Sequence, residues 1–210
     1  MPVHLSRRPI SLVSALAAAI ALGAAPAAHA GLLVTTASDC PAEVLTQPFL
    51  PWADPASYVP APDGGFEAGA ADWTLSDAAI SADNEPFYVR DSGDGSSLEL
   101  APGGSATSPT MCVGIEHPTL RFFVRAQGSA AGTLRVDVRY QDALGGSHWL
   151  TIGWVLGGAE WSPTPVMPVV ANLLALLPGE RTPVAFRFTA EGADAGWQID
   201  DVYVDPYSKG

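Results

Sequence analysis

The chain has 210 residues, 48% of them hydrophobic and 15% charged, with a formal net charge of −12. Ten basic residues against 22 acidic ones exclude nucleic acid as a partner bound through the overall field. A chain of this length and apolar content can bury one substantial core.

Residues 1–30 read as a secretory signal peptide. Arg7 and Arg8 supply the charged start, Ile10 to Ala25 is apolar and alanine-rich, and Ala28-His29-Ala30 places small residues around a cleavage position. The apolar run is too short and too rich in small residues for a membrane anchor. Ser6-Arg7-Arg8 matches a twin-arginine signal only in part, because Pro9 follows. Cleavage before Gly31 would leave eight basic residues against all 22 acids, a formal charge of −14. No second hydrophobic span or wall-sorting motif follows. The expectation is a secreted, extracellular protein with no membrane insertion after signal cleavage.

Residues 31–62 are proline-rich and irregular, with Leu32 to Thr35 as the one clear strand candidate. Pro60-Ala61-Pro62-Asp63-Gly64-Gly65 is a turn cluster, after which a domain over 63–207 is expected. Its β-like runs are Trp73–Leu75, Phe87–Arg90, Ser97–Ala101, Thr107–Val113, Thr119–Ala126, Leu134–Gln141, His148–Val155, Val184–Thr189 and Trp197–Val204. Short runs at such intervals, separated by Gly, Pro, Asp and Ser, predict an all-β antiparallel sandwich. Val170 to Leu177 is apolar all round and reads either as a buried turn of helix or as a strand.

Only Cys40 and Cys112 carry thiols. In an exported chain such a pair most often forms one disulfide, worth about 4 kcal/mol for a loop of this length in the chain-entropy model. Two buried free thiols are the alternative. Neither cysteine lies in a CxxC or beside a histidine, which disfavours metal and nucleophile roles.

The last run, Gly196 to Tyr207, contains a local conflict. Ile199 and Val202 are three apart, so a regular strand cannot turn both to one core. One extra residue at Asp200-Asp201, a β-bulge, would restore both and would aim a carboxylate toward the sandwich edge.

Gly64-Gly65-Phe66-Glu67-Ala68-Gly69, followed by Trp73, resembles the opening strand of carbohydrate-binding-module-like jelly rolls. Ile199-Asp200-Asp201-Val202 resembles the closing strand of the same galactose-binding-like sandwiches. The mature chain as a whole is similar to a group of uncharacterised secreted bacterial proteins. The shared stretches are Cys40, Gln47-Pro48-Phe49, Asn84-Glu85-Pro86-Phe87, Pro118 to Phe123 and Asp200 to Tyr207. These resemblances imply a β-jelly-roll over 63–207 and no particular activity. In related jelly rolls the first and last strands hold a structural Ca2+ ion. That implies Glu67 and Asp201 as metal ligands, with backbone carbonyls and Asp83 or Asn84 completing the six to eight oxygens calcium takes. The same carboxylates acting only as turn and bulge caps are the alternative.

Alternation predicts the faces of the middle strands. Leu120, Phe122, Val124, Ala126 and Leu134, Val136, Val138, Tyr140 form the apolar side. Opposite them fall Arg121, Phe123, Arg125, then Arg135, Asp137, Arg139, Gln141, then Trp149 and Thr151, then Arg187 and Thr189. In one sheet, these would gather five arginines on a single solvent face. An indole amid planar hydrogen-bonding groups is what a sugar-binding sheet needs. Arginine forks would further suit uronate, sulfate or phosphate groups. The competing reading is a ladder of cross-strand ion pairs with no ligand. Trp73, Trp154 and Trp197 are expected in the core, and Trp52 and Trp161 either in loop packing or as exposed platforms.

Catalysis has little sequence support. The mature chain holds two histidines, His117 and His148, and no GxSxG, HExxH or phosphate loop. The Arg, Gln, His and Tyr of jelly-roll polysaccharide lyases find counterparts in Arg125, Gln141, His148 and Tyr140, although alternation puts the last two on the apolar side. The leading expectation is therefore a secreted, non-catalytic module binding an extracellular or cell-envelope glycan through Trp149, Arg121, Arg125, Arg135, Asp137, Arg139, Gln141 and Arg187. The alternative is a structural or adhesive envelope protein that binds another protein.

Overall fold

A computed structural model describes residues 34–128, 132–169 and 178–205. The leader, Leu32, the apolar stretch Val170 to Leu177 and the end of the chain after Asp205 lie outside the described residues. Within them the protein is all-β and antiparallel, with one 3-10 turn at Leu50–Trp52. Its strands are β1 (Val59–Pro60), β2 (Thr74–Ser81), β3 (Ser97–Thr107), β4 (Met111–Gly114), β5 (Thr119–Gly128), β6 (Thr133–Gln141), β7 (Ser147–Val155), β8 (Ser162–Pro163), β9 (Met167–Pro168), β10 (Arg181–Glu191) and β11 (Ala195–Asp205).

One curled sheet runs in the order β7-β6-β10-β3-β11-β5-β8 and closes into two facing layers. The bend is in β3. Its first residues, Leu98 to Leu100, pair with β11, whereas Ser105 to Thr107 pair with β10. Between them Pro102-Gly103-Gly104 bulges out opposite Asp77 of β2. A Cβ on Gly104 would stand 2.3 Å from the Asp77 carbonyl oxygen, so only glycine fits the close approach. The expected runs Ser97–Ala101 and Thr107–Val113 thus become one long bent strand and a short separate one.

The core lies between the layers. Leu120, Phe122 and Val124 of β5 face Leu134, Val136 and Val138 of β6 and Phe186 and Phe188 of β10. Phe122 meets Phe188 edge to face, with ring centroids 5.0 Å apart, a favourable quadrupole arrangement. Trp73 and Trp197 are in this core, as expected.

The bulge predicted at the aspartate pair is present. The register of β11 against β5 shifts between Asp200 and Tyr203, and Asp201 has φ 49°. Ile199 and Val202 both reach the core as a result. The bulge also turns the Val202 N–H to the Gly64 carbonyl, while the Val202 carbonyl accepts from the Ala61 N–H.

Phe87–Arg90 is not a strand. The buried Glu85 carboxylate accepts from the Phe87 and Val89 N–H groups, so those donors serve a side chain instead of a ladder.

The N-terminal segment is tied to the sandwich at several points. Cys40 and Cys112 form a disulfide, β1 pairs with β11, and the Thr35 and Ala37 N–H groups reach the Gln141 and Arg181 carbonyls. Phe49 and Tyr58 cover Phe123 and Tyr203 on the outer face of β5 and β11. This second aromatic cluster is why Phe123, which alternation sends outward, is fully buried.

Candidate functional site

The facing of Phe122 and Phe188 decides where the arginines go. Arg121 and Arg125 alternate with Phe122 on β5, and Arg187 alternates with Phe188 on β10, so they leave the sandwich from opposite surfaces. The expected single face of five arginines therefore does not exist. Arg135, Arg139 and Arg187 share the outer surface of β6 and β10, while Arg121 and Arg125 lie on the far layer.

Arg121 is not a surface group at all. It is buried under the N-terminal segment, with its guanidinium carbon 4.2 Å from the Phe49 ring centroid. Its Nε donates to the Thr164 carbonyl at 2.9 Å and its Nη1 to Asp54 Oδ2 at 2.5 Å. Asp54 also accepts from the Tyr58 hydroxyl at 2.7 Å. Burial alone would raise the Asp54 carboxyl, but the hydrogen bonds from Tyr58, Ala56 and Arg121 outweigh it and hold it below the usual range. Arg125 is half-buried, donates to Gln198 Oε1 at 2.5 Å, pairs with Asp83 and lies 5.1 Å from the Trp161 ring.

The other layer carries the candidate site. Register puts Thr151 of β7, Asp137 of β6 and Arg187 of β10 in one row, and Trp149 opposite Arg139 in the next. Asp137 is buried and central. Its Oδ1 accepts from Thr151 Oγ1 at 2.7 Å, and its Oδ2 accepts from Arg187 Nη2 at 2.9 Å and Arg135 Nε at 3.1 Å. Burial would raise this carboxyl too, yet those three donors hold it low, so the charge is fixed in place. Arg135 also pairs with Glu191. The ion-pair ladder read from the sequence is therefore present here.

It does not use up the face. The Arg187 guanidinium carbon lies 4.0 Å from the Trp149 ring centroid and that of Arg139 lies 5.7 Å away, within cation–π range. Trp149 remains 40% exposed. Arg139 and Gln141 also line a cavity of about 200 Å³ beside it, with Thr110, Tyr140, Ser147 and Val184.

Trp154, expected in the core, is instead 61% exposed and lies opposite Arg135 on this same face. A bulge causes this, since the β6–β7 register shifts between Val136 and Asp137 and sends both Ile152 and Val155 inward. The signal was in the sequence. Ile152 and Val155 are three apart, as Ile199 and Val202 are.

The lyase-like set is not assembled. Arg125 is on the layer opposite Tyr140 and Gln141, and His148 is engaged by Asp142 at 2.7 Å.

At the bulge, Asp200, Asp201 and Glu85 are all buried. Burial, reinforced by the neighbouring Asp201, pushes the Asp200 carboxyl up to about 9. Burial and the charge of Glu85 push Asp201 up to about 7, against the lowering influence of Arg90. Asp201 Oδ1 is buried without a hydrogen-bond partner. The four residues named for calcium are only partly free for it. Glu67 Oε1 accepts from the Gly95 and Ser96 N–H groups, Asp83 pairs with Arg125, and Asn84 donates to the Glu85 carbonyl. Among the described residues no group of three His, Cys, Asp or Glu is arranged to hold a metal.

No family model and no curated protein matches the chain. Solved structures do match. The xylanase 10B CBM22-1–GH10 modules of Clostridium thermocellum, complexed with xylohexaose, align at TM-score 0.50 and 15% identity, over 70% of this chain and 28% of that one. A family 61 carbohydrate-binding module in complex with β-1,4-galactotriose aligns at TM-score 0.40 and 16% identity, over 69% of this chain and 95% of that one. The enzymatically active domain of tailspike protein 4 of bacteriophage CBA120 aligns at TM-score 0.47 and 19% identity, over 69% and 21%. This chain has the β-sandwich fold of carbohydrate-binding modules. It spans about a fifth of the tailspike chain and just over a quarter of the xylanase chain.

Proposed function

We propose that the protein is a secreted, non-catalytic module that binds an extracellular or cell-envelope glycan on the outer face of β6, β7 and β10. The observation that carries this is Trp149, an exposed indole held by Arg187, which is in turn fixed by the buried Asp137. A rigid aromatic plane with donors and acceptors at its edge recognises a sugar by stacking on the apolar face of the ring while its hydroxyls find polar partners. Arg139 and Gln141 supply those partners, and the arginines suit a ligand that carries negative charge. The fold shared with modules from glycan-binding proteins supports the same class of ligand.

Glycan microarray screening of the purified chain, followed by calorimetry on the best ligand, tests the proposal. Trp149→Ala should weaken binding by more than about 1 kcal/mol, as loss of an aromatic anchor does, and leave the melting temperature nearly unchanged. Unaltered affinity in Trp149→Ala would remove the face from consideration.

The same reading includes a structural calcium ion at Asp201 and Glu67. Its support is the unpartnered buried Asp201 Oδ1 among acidic neighbours.

A further inference from the structure

One guanidinium stands apart from the rest. Of the arginines among the described residues, Arg90, Arg121, Arg125, Arg135, Arg181 and Arg187 each reach a carboxylate. Arg139 reaches none. In a chain of formal charge −12, a cation without a counter-charge is unusual, and register explains how it stays so. Its cross-strand neighbours are Ala185 on β10 and Trp149 on β7, neither of which can neutralise it. Asp137, two residues away on the same face, is already saturated by Arg135, Arg187 and Thr151. Asp142, beyond the strand end, is taken by His148 and by the Leu144 and Gly146 N–H groups.

That free guanidinium lines the cavity of about 200 Å³ at the edge of the Trp149 platform, together with Thr110, Tyr140, Gln141 and Ser147. The volume is below the roughly 300–1,000 Å³ of pockets that engulf drug-sized ligands. It accepts one sugar ring or its substituent, while the remainder of a polymer would lie along the open face. The other lining groups offer hydroxyls and an amide but no carboxylate, so Arg139 is the one charged group that lines the cavity.

Resting on the glycan-binding reading above, we propose that Arg139 selects the charge of the ligand by binding a sugar carboxylate in this cavity, so that the glycan is a uronate-containing one. Arginine presents a planar fork of N–H donors that matches the two oxygens of a carboxylate. Arg187 and Arg135 do not compete for it, because both are committed to Asp137.

Calorimetry with three soluble probes tests the proposal: oligogalacturonate, neutral galacto-oligosaccharide and dextran sulfate. The unaltered chain should bind oligogalacturonate about tenfold tighter than the neutral oligomer, the ratio expected from one charge-assisted pair. Raising salt should shrink that ratio. Arg139→Gln should bring it close to one, and Arg139→Lys should restore part of it as a point charge without the fork. Neutral and uronate oligomers binding alike to the unaltered chain overturn the charge selection and leave the glycan platform standing. Dextran sulfate binding as tightly as the uronate overturns the carboxylate assignment. No binding of any of the probes, with Trp149→Ala silent on every glycan of the microarray, overturns the platform and the selection together.

Discussion

Arg187 links a buried carboxylate to an exposed indole: its Nε and Nη2 lie 3.1 and 2.9 Å from Asp137 Oδ2, and its guanidinium carbon is 4.0 Å from the Trp149 ring centroid. The guanidinium is fixed from below by charge and offers its plane above. A tryptophan on an edge strand would otherwise rotate freely about its side-chain torsions and lose that freedom on binding. Here the loss is largely incurred on folding.

Asp137→Asn therefore affects two measurements at once. The buried side chain keeps its shape but loses the charge that holds Arg135 and Arg187, which costs about 2–3 kcal/mol by analogy with other buried charged hydrogen bonds. The urea midpoint should fall accordingly. Ligand affinity should also drop although Asp137, with a side chain only 3% exposed, cannot touch a ligand. Full affinity in a destabilised Asp137→Asn would show that Trp149 needs no fixing by Arg187.

The clamp on the opposite layer predicts an acid-sensitive stability. Folded Asp54 holds its carboxyl below the usual range, so the native state binds a proton there more weakly than the unfolded chain does. Its stabilisation is present above the unfolded carboxyl value of about 3.9 and is lost as pH falls through the lower folded value. Asp54→Asn should cost about 2 kcal/mol at neutral pH, because Arg121 is left buried without its counter-charge, and the variant should lose less stability than the parent on acidification. A parallel pH profile in parent and variant would mean that Asp54 does not clamp the N-terminal segment.

Much of this architecture was legible because it depends on local pattern. Alternation identified the inward faces of β5, β6 and β10, and the three-residue spacing of Ile199 and Val202 located the bulge on β11. The arginine face was misjudged because alternation tells which residues share a side of a strand but not which strands share a layer. That assignment depends on the bend in β3, and Pro102-Gly103-Gly104 reads in sequence as an ordinary turn. Arg121 and Phe123 were misplaced for a related reason. Their burial comes from Phe49 and Tyr58, more than sixty residues earlier, and no local periodicity carries such a contact. Ile152 and Val155 have the same three-residue spacing as Ile199 and Val202, so the bulge that exposes Trp154 has an equally local signal.

The disulfide connects the N-terminal segment to β4 across a sequence separation of 72. Protein purified without reductant should show no titratable thiol before reduction and should yield a Cys40–Cys112 peptide on mapping. Reduction should lower stability by about 4 kcal/mol in the chain-entropy model. The loss should appear as a shift of the urea midpoint with little change in secondary structure, since β1 and the aromatic cluster still hold the segment. Two reactive thiols in protein purified without reductant would contradict the bond.

The acid cluster on β11 gives the sharpest pH test. Burial raises Asp201 to about 7 and Asp200 to about 9, so between the unfolded carboxyl value of about 3.9 and these values the native state holds more protons than the unfolded one. Stability in chelator should consequently decline as pH rises from about 5 to about 8.5. A bound calcium ion favours the charged carboxylates and reverses that trend. Added calcium should raise the melting temperature at pH 8, by the equivalent of about 2.7 kcal/mol at a hundredfold excess over its dissociation constant, and should do little at pH 5. Asp201→Asn should lessen the decline in chelator, leaving the part due to the buried Asp200, and abolish the calcium response, whereas Glu67→Gln should abolish the response alone. Superimposable melting curves with calcium and with chelator at pH 8 would leave Asp200 and Asp201 as caps of the bulge, with no metal involved.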